Sequence, residues 1–165
     1  MGKRVLITGA AGNLGGLLAR RLLKDEVLLH LLVHRQDVSP ELKAKDNVNV
    51  FWADLAVRES LGSALDGVDT IVHFAGVLFK HNPEKFLKTT NTLYFKNLLD
   101  VAVQKGVKRV ILISFPHVEG ETTPDHPARG RLDGNPVSMH ARTRLEEERL
   151  LFEYGERRGF EPVAL

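Results

Sequence analysis

Three glycines near the start of the chain are spaced so that they could bind phosphate groups. Gly9, Gly12 and Gly15 follow an apolar run over residues 5–7, and an amphipathic segment, residues 17–23, comes directly after them. A strand, a tight turn and a helix in this order can seat the pyrophosphate of a dinucleotide on the N-terminus of the helix. The first glycine permits the sharp turn, the second lets the backbone approach the phosphates, and the third lets helix and strand pack closely. The alternative is a glycine-rich turn with a structural role only.

The composition is that of an ordinary globular protein and argues against several classes of partner. The 165 residues suit one domain, with 43% hydrophobic and 27% charged residues. The 23 lysines and arginines nearly balance the 21 acidic residues and form no basic stripe, so we expect no nucleic-acid partner. The chain has no cysteine, and its histidines form no HExxH pattern, so we expect neither disulfides nor a metal site.

Apolar stretches are short. The longest outside the glycine turn, residues 27–33, is interrupted by His30, whereas a membrane-spanning helix needs about 20 apolar residues. The first nine residues do not read as a signal peptide, because their apolar run is short and continues into the glycine turn. We therefore expect a cytoplasmic protein that does not bind a membrane.

Strand-like and helix-like segments alternate along the chain, which is typical of a parallel sheet covered by helices on both faces. We predict an α/β fold with a doubly wound parallel sheet, strand order 3-2-1-4-5-6, in three α/β/α layers. The predicted strands are Arg4–Thr8, Val27–His34, Val48–Ala53, Thr70–Phe74, Arg109–Ser114 and Pro162–Leu165. The predicted helices are Asn13–Lys24, Val57–Leu65, Pro83–Gln104 and Ser138–Arg158. Residues 115–136, rich in proline and glycine, form a long loop at the ligand-binding edge of the sheet, where such loops are functional or mobile.

Several segments together resemble the short-chain dehydrogenase/reductase superfamily, in particular its extended and atypical branch of NAD(P)-dependent epimerase/dehydratase-like proteins. The segments that carry the likeness are the turn Thr8–Gly15, which matches the pattern TGxxGxxG, then Asp54-Leu55, Val72–Gly76, Asn91 with Lys96–Leu99, and Gly106–Val110. The resemblance implies that residues 1–165 form a single NAD(P)-binding Rossmann domain. It also implies that a C-terminal substrate-binding part of a longer protein is missing, since residues 161–165 read as a strand at which the chain stops.

The glycine turn, the end of the second strand and the resemblance together predict a cofactor site. Its residues are Gly9, Ala11, Gly12, Asn13, Leu14, Gly15, His34, Arg35, Asp54, Leu55, Phe74, Ala75, Gly76, Asn91 and Arg144.

The catalytic residues of the family are replaced in this chain. The family uses a serine after the fifth strand and a Tyr-x-x-x-Lys on the next helix, where the tyrosine is the general acid/base and the lysine holds the nicotinamide ribose. The corresponding positions carry Phe115, His140 and Arg144, with Ser114 one residue before the serine position. The spacing of four keeps both helical side chains on one face.

Two interpretations of His140 and Arg144 stay open. In one, a neutral imidazole replaces the phenol as acid/base, because its unperturbed pKa is about 6.5, and the guanidinium of Arg144 lowers that pKa further and binds the ribose. In the other, the site has lost hydride chemistry and retains cofactor binding alone. Ser114 is a third candidate catalytic residue.

The end of the second strand favours NADP(H) over NAD(H). Proteins that prefer NAD place an acidic residue there for the ribose 2′-hydroxyl, whereas this chain has His34 followed by Arg35. Arg35 could pair with a 2′-phosphate, while Asp37 keeps the NAD alternative open.

The resemblance implies an NAD(P)-dependent oxidoreductase or sugar-nucleotide epimerase/dehydratase with a modified active site. The substrate would be a small molecule, with nucleotide sugars as one candidate class. The alternative is a non-catalytic NAD(P)-binding sensor, regulator or assembly protein of the NmrA-like kind. In this family the helices over residues 83–104 and 138–158 often pair two subunits, which suggests a homodimer. The acidic run Glu146–Glu148 is predicted to lie on a solvated helix face.

Overall fold

The predicted sheet and its strand order are confirmed. A computed structural model of the chain describes residues 2–77 and 81–165. In it, six parallel strands form a sheet in the order β3-β2-β1-β4-β5-β6. The strands are β1 Lys3–Thr8, β2 Val27–Val33, β3 Val48–Trp52, β4 Thr70–His73, β5 Arg109–Leu112 and β6 Glu161–Ala164. The last strand is shifted by one residue from its predicted position.

Helices cover both faces of this sheet. They are α1 Asn13–Leu22, the short α2 Pro40–Lys43, α3 Tyr94–Gln104 and α4 Met139–Arg158. Side chains of successive strand residues point to opposite faces, so the neighbours Leu6 and Ile7 enter different cores. Leu6 packs in the core under α3 and α4, and Ile7 packs in the core under α1 and α2. Because both faces are buried, consecutive residues of the central strands are apolar, as in Val5–Ile7 of β1 and Val110–Leu112 of β5.

The predicted helix Val57–Leu65 is wrong. This region has only a short 3₁₀ helix, Arg58–Leu61, and the hydroxyl of Ser60 binds the nearby backbone. Ser60 Oγ lies 2.7 Å from the carbonyl oxygen of Val57 and accepts a hydrogen bond from the N–H of Asp54 at 3.1 Å. Such local side-chain contacts compete with helix formation.

The predicted helix Pro83–Gln104 is divided into three pieces. A 3₁₀ turn, Pro83–Lys85, is followed by a π-helical segment, Lys88–Leu93, which leads directly into α3. The break lies at Phe86, whose φ of −140° is not helical. π-Helical segments occur often at functional sites, and this one carries Asn91.

Helix α4 has the ends that its sequence predicts. The Ser138 hydroxyl accepts a hydrogen bond from the N–H of Ala141 at 3.1 Å and so caps the helix. Gly159, with φ 79°, ends it in the left-handed conformation. These two caps hold His140 and Arg144 in the first turns of a regular helix.

Candidate functional site

A cavity of about 500 Å³ opens at the carboxyl ends of β1 to β4. Strand order reverses here, because the chain builds outward from β1 through β2 and β3 on one side and through β4 and β5 on the other. Open α/β sheets bind ligands at such a switch point. Eight of the predicted cofactor residues line the cavity: Gly9, Ala11, His34, Arg35, Asp54, Leu55, Ala75 and Gly76.

The glycine turn forms the floor of this cavity, and its conformation requires glycine. Gly9 has φ 67°, and a Cβ there would lie 3.0 Å from the backbone nitrogen of Ala75. A Cβ on Gly15 would lie 2.4 Å from the carbonyl oxygen of Gly9, which no real Cβ tolerates. The N–H of Gly12 donates to that same oxygen at 2.9 Å. The backbone of the turn therefore packs against the first turn of α1 without side chains between them.

The other predicted cofactor residues lie around the cavity rather than on its wall. Gly12 and Asn13 border a smaller cavity next to it, and Leu14 is 58% exposed on α1. Phe74 is half-buried against the core under α1 and α2. Gln36 lines the cavity and was not predicted, although its position directly after Arg35 could have indicated it.

The residues after β2 differ in their charge partners. His34 Nε2 lies 3.3 Å from Asp54 Oδ2 across the cavity mouth. Asp37 forms an ion pair with Lys43 of α2 and accepts the N–H of Val38 at 2.8 Å. Arg35 is exposed and has no ion pair among the described residues. Asp37, the acidic residue in the segment after β2, is thus engaged by Lys43 of α2, and the cation of Arg35 lines the cavity.

The expectation that Glu146–Glu148 lies on a solvated face is wrong for two of its three residues. Glu147 is fully buried and Glu148 is 6% exposed. Glu147 Oε2 accepts from Arg144 Nη1 at 2.8 Å, and Arg144 is itself buried. Burial raises the pKa of Glu147 to about 7 even though Arg144 opposes the shift. The run of acidic residues predicted a solvent-exposed helix face, but α4 packs with this face toward the sheet.

Glu147 has a second carboxylate oxygen that the structure leaves unsatisfied. Its Oε1 is buried and has no hydrogen-bond partner among residues 2–77 and 81–165. A buried polar atom of this kind is uncommon and costly. Sequence reasoning missed Glu147, and the one available signal was its spacing of three from Arg144 on the helix.

The guanidinium of Arg144 lies behind the cavity wall at Gly76. A Cβ on Gly76 would lie 2.1 Å from Arg144 Nη2, so the absence of a side chain makes room for the charge. Arg144 is not among the residues that line the cavity. Its charge is close enough to influence His73, whose pKa falls to about 3 mainly through burial and secondarily through Arg144.

A neutral His73 joins the ends of β1 and β4. Its Nδ1 lies 2.8 Å from Thr8 Oγ1, and the N–H of Ala75 donates to the same hydroxyl at 3.2 Å. All of these atoms lie directly beneath the glycine turn. The contacts therefore hold the two strand ends that form the cavity floor.

His140 is 8% exposed and faces Phe115. The two rings meet edge to face with centroids 4.7 Å apart. Burial, followed by the charge of Arg144, lowers the pKa of His140, so the imidazole is neutral at neutral pH. The structure thus brings His140, Phe115 and Arg144 close together.

Ser114 points elsewhere. Its hydroxyl donates a hydrogen bond to Glu148 Oε1, and burial raises the pKa of that carboxyl. Its N–H donates to the carbonyl oxygen of Leu165 at 2.7 Å. Ser114 therefore connects β5 to α4 and β6.

Asn91 connects three parts of the site. Its Oδ1 accepts the N–H of Val77 at 3.1 Å, and its Nδ2 donates to Thr143 Oγ1 at 3.3 Å. Thr143 in turn donates to the carbonyl oxygen of His140 at 2.9 Å. The π-helical segment thus positions an amide that ties the chain after β4 to the first turns of α4.

Hydrogen bonds within the loop over residues 115–136 hold it together. Glu119 accepts the backbone N–H groups of Arg129, Gly130 and Arg131 at 2.6, 2.5 and 3.1 Å. Arg149 of α4 donates to the carbonyl oxygen of Leu132 at 2.8 Å. The loop is therefore anchored to α4 beside the site.

Two kinds of feature are absent from the described part of the chain. None of its helices combines the length and apolar character needed to cross a bilayer. Its His, Asp and Glu side chains also do not come together in groups of three or more that could hold a metal ion.

Comparison with known proteins agrees with this geometry. Uronate dehydrogenase of Pseudomonas putida is 32% identical over 163 residues, covering 98% of this chain and 59% of that protein. An inverting UDP-N-acetylglucosamine 4,6-dehydratase of Campylobacter jejuni is 26% identical over 90% of this chain and 42% of its own length. The chain thus spans less than two thirds of the relatives that it matches.

Solved structures show the same fold. A mutant uronate dehydrogenase from Agrobacterium tumefaciens in complex with NAD has a TM-score of 0.77 at 28% identity, covering 96% of this chain and 58% of that one. The UDP-glucose 4-epimerase of Thermus thermophilus with NAD has a TM-score of 0.84 at 25% identity, covering 98% and 53%. The model of the NAD dependent epimerase/dehydratase family matches residues 5–165. With the glycine turn, the sheet order and the cavity in place, this match shows that the chain belongs to the NAD dependent epimerase/dehydratase family.

Proposed function

We propose that residues 1–165 are the dinucleotide-binding domain of an NAD(P)-dependent oxidoreductase or sugar-nucleotide epimerase/dehydratase. The cavity over the glycine turn is the observation that carries this proposal. It combines the glycine turn, the cation Arg35 at the end of β2 and the Asp54-Leu55 pair. The relatives named above include proteins solved with NAD.

The residues present fit a nicotinamide dinucleotide. The backbone at Gly9 and Gly12, which leads into the N-terminus of α1, would hold the pyrophosphate. A Cβ at Gly9 would press against the backbone of Phe74 and Ala75 and displace the turn. Asp54 and Leu55 would lie by the adenine, and Gly76 would lie along the cofactor toward the nicotinamide. When bound, the nicotinamide supplies the hydride acceptor or donor.

Proton transfer at the substrate is assigned to His140. Its lowered pKa keeps the imidazole neutral at neutral pH, so it can accept a proton from a substrate hydroxyl. Arg144 would hold the nicotinamide ribose from behind Gly76, and Ser114 would support α4 through Glu148. Arg144 stays charged throughout, because guanidinium does not lose its proton in proteins.

NADP(H) is the proposed cofactor in preference to NAD(H). Arg35 lines the cavity without an ion pair among the described residues, while Asp37 is held by Lys43. A 2′-phosphate would meet a cation at this point, and a 2′-hydroxyl would find no free carboxylate after β2.

The relatives, rather than the cavity, support the proposed substrate class. Uronate dehydrogenases and UDP-sugar dehydratases are among them, which supports a sugar acid or nucleotide sugar. The chain covers 59% of the uronate dehydrogenase of P. putida, so we propose that a C-terminal region completes the substrate site. A homodimer through the helices over residues 83–104 and 138–158 belongs to the same proposal.

Calorimetric titration of the chain with NADPH and with NADH tests cofactor binding. We expect both to bind, and NADPH to bind more tightly. A preference for NADH would contradict the assignment of Arg35 and leave dinucleotide binding intact. Failure of both to bind would contradict the proposed function.

A non-catalytic NAD(P)-binding sensor is a second candidate. Two observations favour it. The guanidinium of Arg144, which stands at the family's lysine position, is already paired with Glu147, and Phe115 stands at the serine position. His140→Ala in the full-length protein distinguishes the two. An enzyme should lose turnover and keep its cofactor affinity, whereas a sensor should respond to cofactor as before; His126→Ala, an exposed histidine of the loop, is the matched control.

A further inference from the structure

Arg144 and Glu147 meet through only one of the two contacts that their groups could make. A single hydrogen bond joins them, from Nη1 of Arg144 to Oε2 of Glu147 at 2.8 Å. Arginine and a carboxylate often form two parallel hydrogen bonds instead. The side chains are 4% and 0% exposed, so water does not screen the pair as it screens an ion pair on the surface. Each group therefore keeps a second polar atom that its partner does not use.

The second terminal nitrogen of the guanidinium is directed at the cavity wall. Gly76 lines the cavity, and a Cβ there would lie 2.1 Å from Nη2 of Arg144 but 3.3 Å from its Nη1. Among residues 2–77 and 81–165, Nη2 has no hydrogen-bond partner. The guanidinium thus turns its paired nitrogen toward Glu147 and its other nitrogen toward the gap that the glycine leaves.

Packing alone does not explain a carboxylate at position 147. A buried ion pair stabilises a protein no more than apolar side chains of similar size, and Oε1 of Glu147 has no hydrogen-bond partner in the described part of the chain. The neighbouring carboxylates have other contacts. Glu146 accepts a hydrogen bond from Thr92 at 3.0 Å, and Glu148 accepts one from Ser114. Within residues 2–77 and 81–165, Glu147 alone forms an ion pair with Arg144.

We propose that Glu147 is a positioning residue, whose carboxylate fixes the guanidinium of Arg144 so that Nη2 donates past Gly76 to a hydroxyl of the nicotinamide ribose. The inference rests on the proposed function, because it requires the dinucleotide to occupy the cavity over the glycine turn. Once Nη1 is bound, the planar guanidinium sets the direction of Nη2, which the point charge of a lysine could not do. A side chain that is held before the ligand arrives also loses less entropy on binding.

The ionisation of Glu147 should determine how firmly the guanidinium is held. Burial raises the pKa of Glu147 to about 7, so the carboxyl loses its charge as pH falls through this value. A neutral carboxyl accepts a weaker hydrogen bond than a carboxylate, and NADH should therefore bind more weakly at pH 6 than at pH 8. The other ionisable groups near the pair are Glu146, Glu148, His73 and His140. They are all retained in Glu147→Gln, which removes only the ionisation at position 147.

Titration with ADP, ADP-ribose and NADH at pH 8 tests this role, because ADP lacks the ribose that carries the nicotinamide. We expect ADP-ribose and NADH to bind the wild type more tightly than ADP does. Glu147→Leu should weaken the binding of ADP-ribose and NADH by about tenfold, as for the loss of one hydrogen bond to a charged group, and leave ADP binding unchanged. Glu153→Leu, which removes an exposed carboxylate of the same helix, is the matched control and should change none of the three. An equal loss for all three ligands in Glu147→Leu would show a structural role only and overturn the assignment.

The pH dependence of NADH binding decides the result if Glu147→Leu does not fold. Between pH 8 and pH 6 the affinity of the wild type should fall by about fivefold, whereas the affinity of Glu147→Gln should stay nearly constant. The same pH dependence in both proteins, or none in the wild type, overturns the positioning role.

A second comparison tests whether Glu147 acts through Arg144. Arg144→Met and Arg144→Met/Glu147→Leu should bind NADH equally, because the effect of Glu147 requires the guanidinium. Weaker binding by the double variant contradicts the proposal. If ADP binds the wild type and ADP-ribose binds no more tightly, the positioning role is wrong and the proposed function stands. If ADP, ADP-ribose and NADH all fail to bind, the proposed function is wrong and the role of Glu147 with it.

Discussion

The glycine turn and the start of α4 differ in what carries their geometry. In the turn, the geometry belongs to the backbone, and a Cβ at Gly15 would lie 2.4 Å from a carbonyl oxygen. At α4, the geometry belongs to side chains, because the buried Arg144–Glu147 pair holds charge behind the cavity wall. The backbone element matches the family pattern residue by residue, while the family's catalytic residues are replaced at α4. The backbone turn is therefore recognisable from its glycines, whereas the positions on α4 carry side chains that differ from the family pattern.

Removing one partner of the buried pair should have the largest effect on stability. Glu147→Ala leaves the charge of Arg144 buried and unpaired, and we expect a loss of about 3–5 kcal/mol in the free energy of unfolding. Chemical denaturation measures this loss. Replacing both residues with apolar ones, as in Arg144→Met/Glu147→Leu, should restore most of it.

Glu153→Ala is the matched control for that experiment, since Glu153 forms an exposed pair with Arg157 on the same helix. It should cost less than about 1 kcal/mol. A similar loss of unfolding free energy in Glu147→Ala and Glu153→Ala would show that breaking the buried pair costs no more than breaking an exposed one.

Adding a side chain in the glycine turn should lower the stability less than removing one partner of the buried pair, but it should weaken dinucleotide binding more. Gly15→Ala forces the backbone of α1 and the turn apart, for which we expect about 1–3 kcal/mol together with the loss of NADPH binding in a titration. Gly62→Ala is the control, because a Cβ there lies 3.9 Å from its nearest atom. Full NADPH affinity in a folded Gly15→Ala protein would disprove the role of the turn.

The two regions should also contribute opposite slopes to the dependence of stability on pH. The pKa of Glu147 is raised from 4.5 to about 7 in the folded protein, so the folded state holds the proton more tightly and stability falls as pH rises between these values. The pKa of His73 is lowered from 6.5 to about 3, so stability rises with pH over that window.

Glu147→Gln removes the contribution to stability that falls as pH rises. The unfolding free energy of this variant should therefore increase more steeply between pH 5 and 6.5 than that of the wild type, by up to ~1.4 kcal/mol per pH unit. Denaturation midpoints at several pH values measure the slopes. Parallel curves for the two proteins would mean that Glu147 does not titrate in this range.

The smallest expected effect is on the titration of His140. Arg144 lowers the pKa of His140 in addition to burial, so in Arg144→Met/Glu147→Leu that pKa should rise part of the way toward 6.5. NMR titration of the ring protons measures it. An unchanged pKa would mean that burial alone keeps the imidazole neutral.

The parts of the fold that follow from local patterns were predicted correctly. Strand β2 is a nearly continuous apolar run, β1 contains the apolar run Val5–Ile7, and α4 carries its capping signals at Ser138 and Gly159. The predictions failed where a local contact or a tertiary one competes with propensity. Ser60 binds the backbone and prevents a helix after Val57, and the chain at Phe86 interrupts what reads as one long helix.

The sequence by itself determined the glycine turn, because glycine spacing is a local property that admits few backbone geometries. It also predicted the order of the sheet, because alternating strands and helices joined by right-handed crossovers allow few topologies. It also determined which residues stand at the family's catalytic positions. Only the tertiary structure decided what those residues contact. Glu147 reads as one of three acidic residues on a solvated helix, and it becomes the buried partner of Arg144 because α4 packs with that face toward the sheet. Burial changes the charge state and the partners of a side chain, and burial depends on contacts distant in sequence.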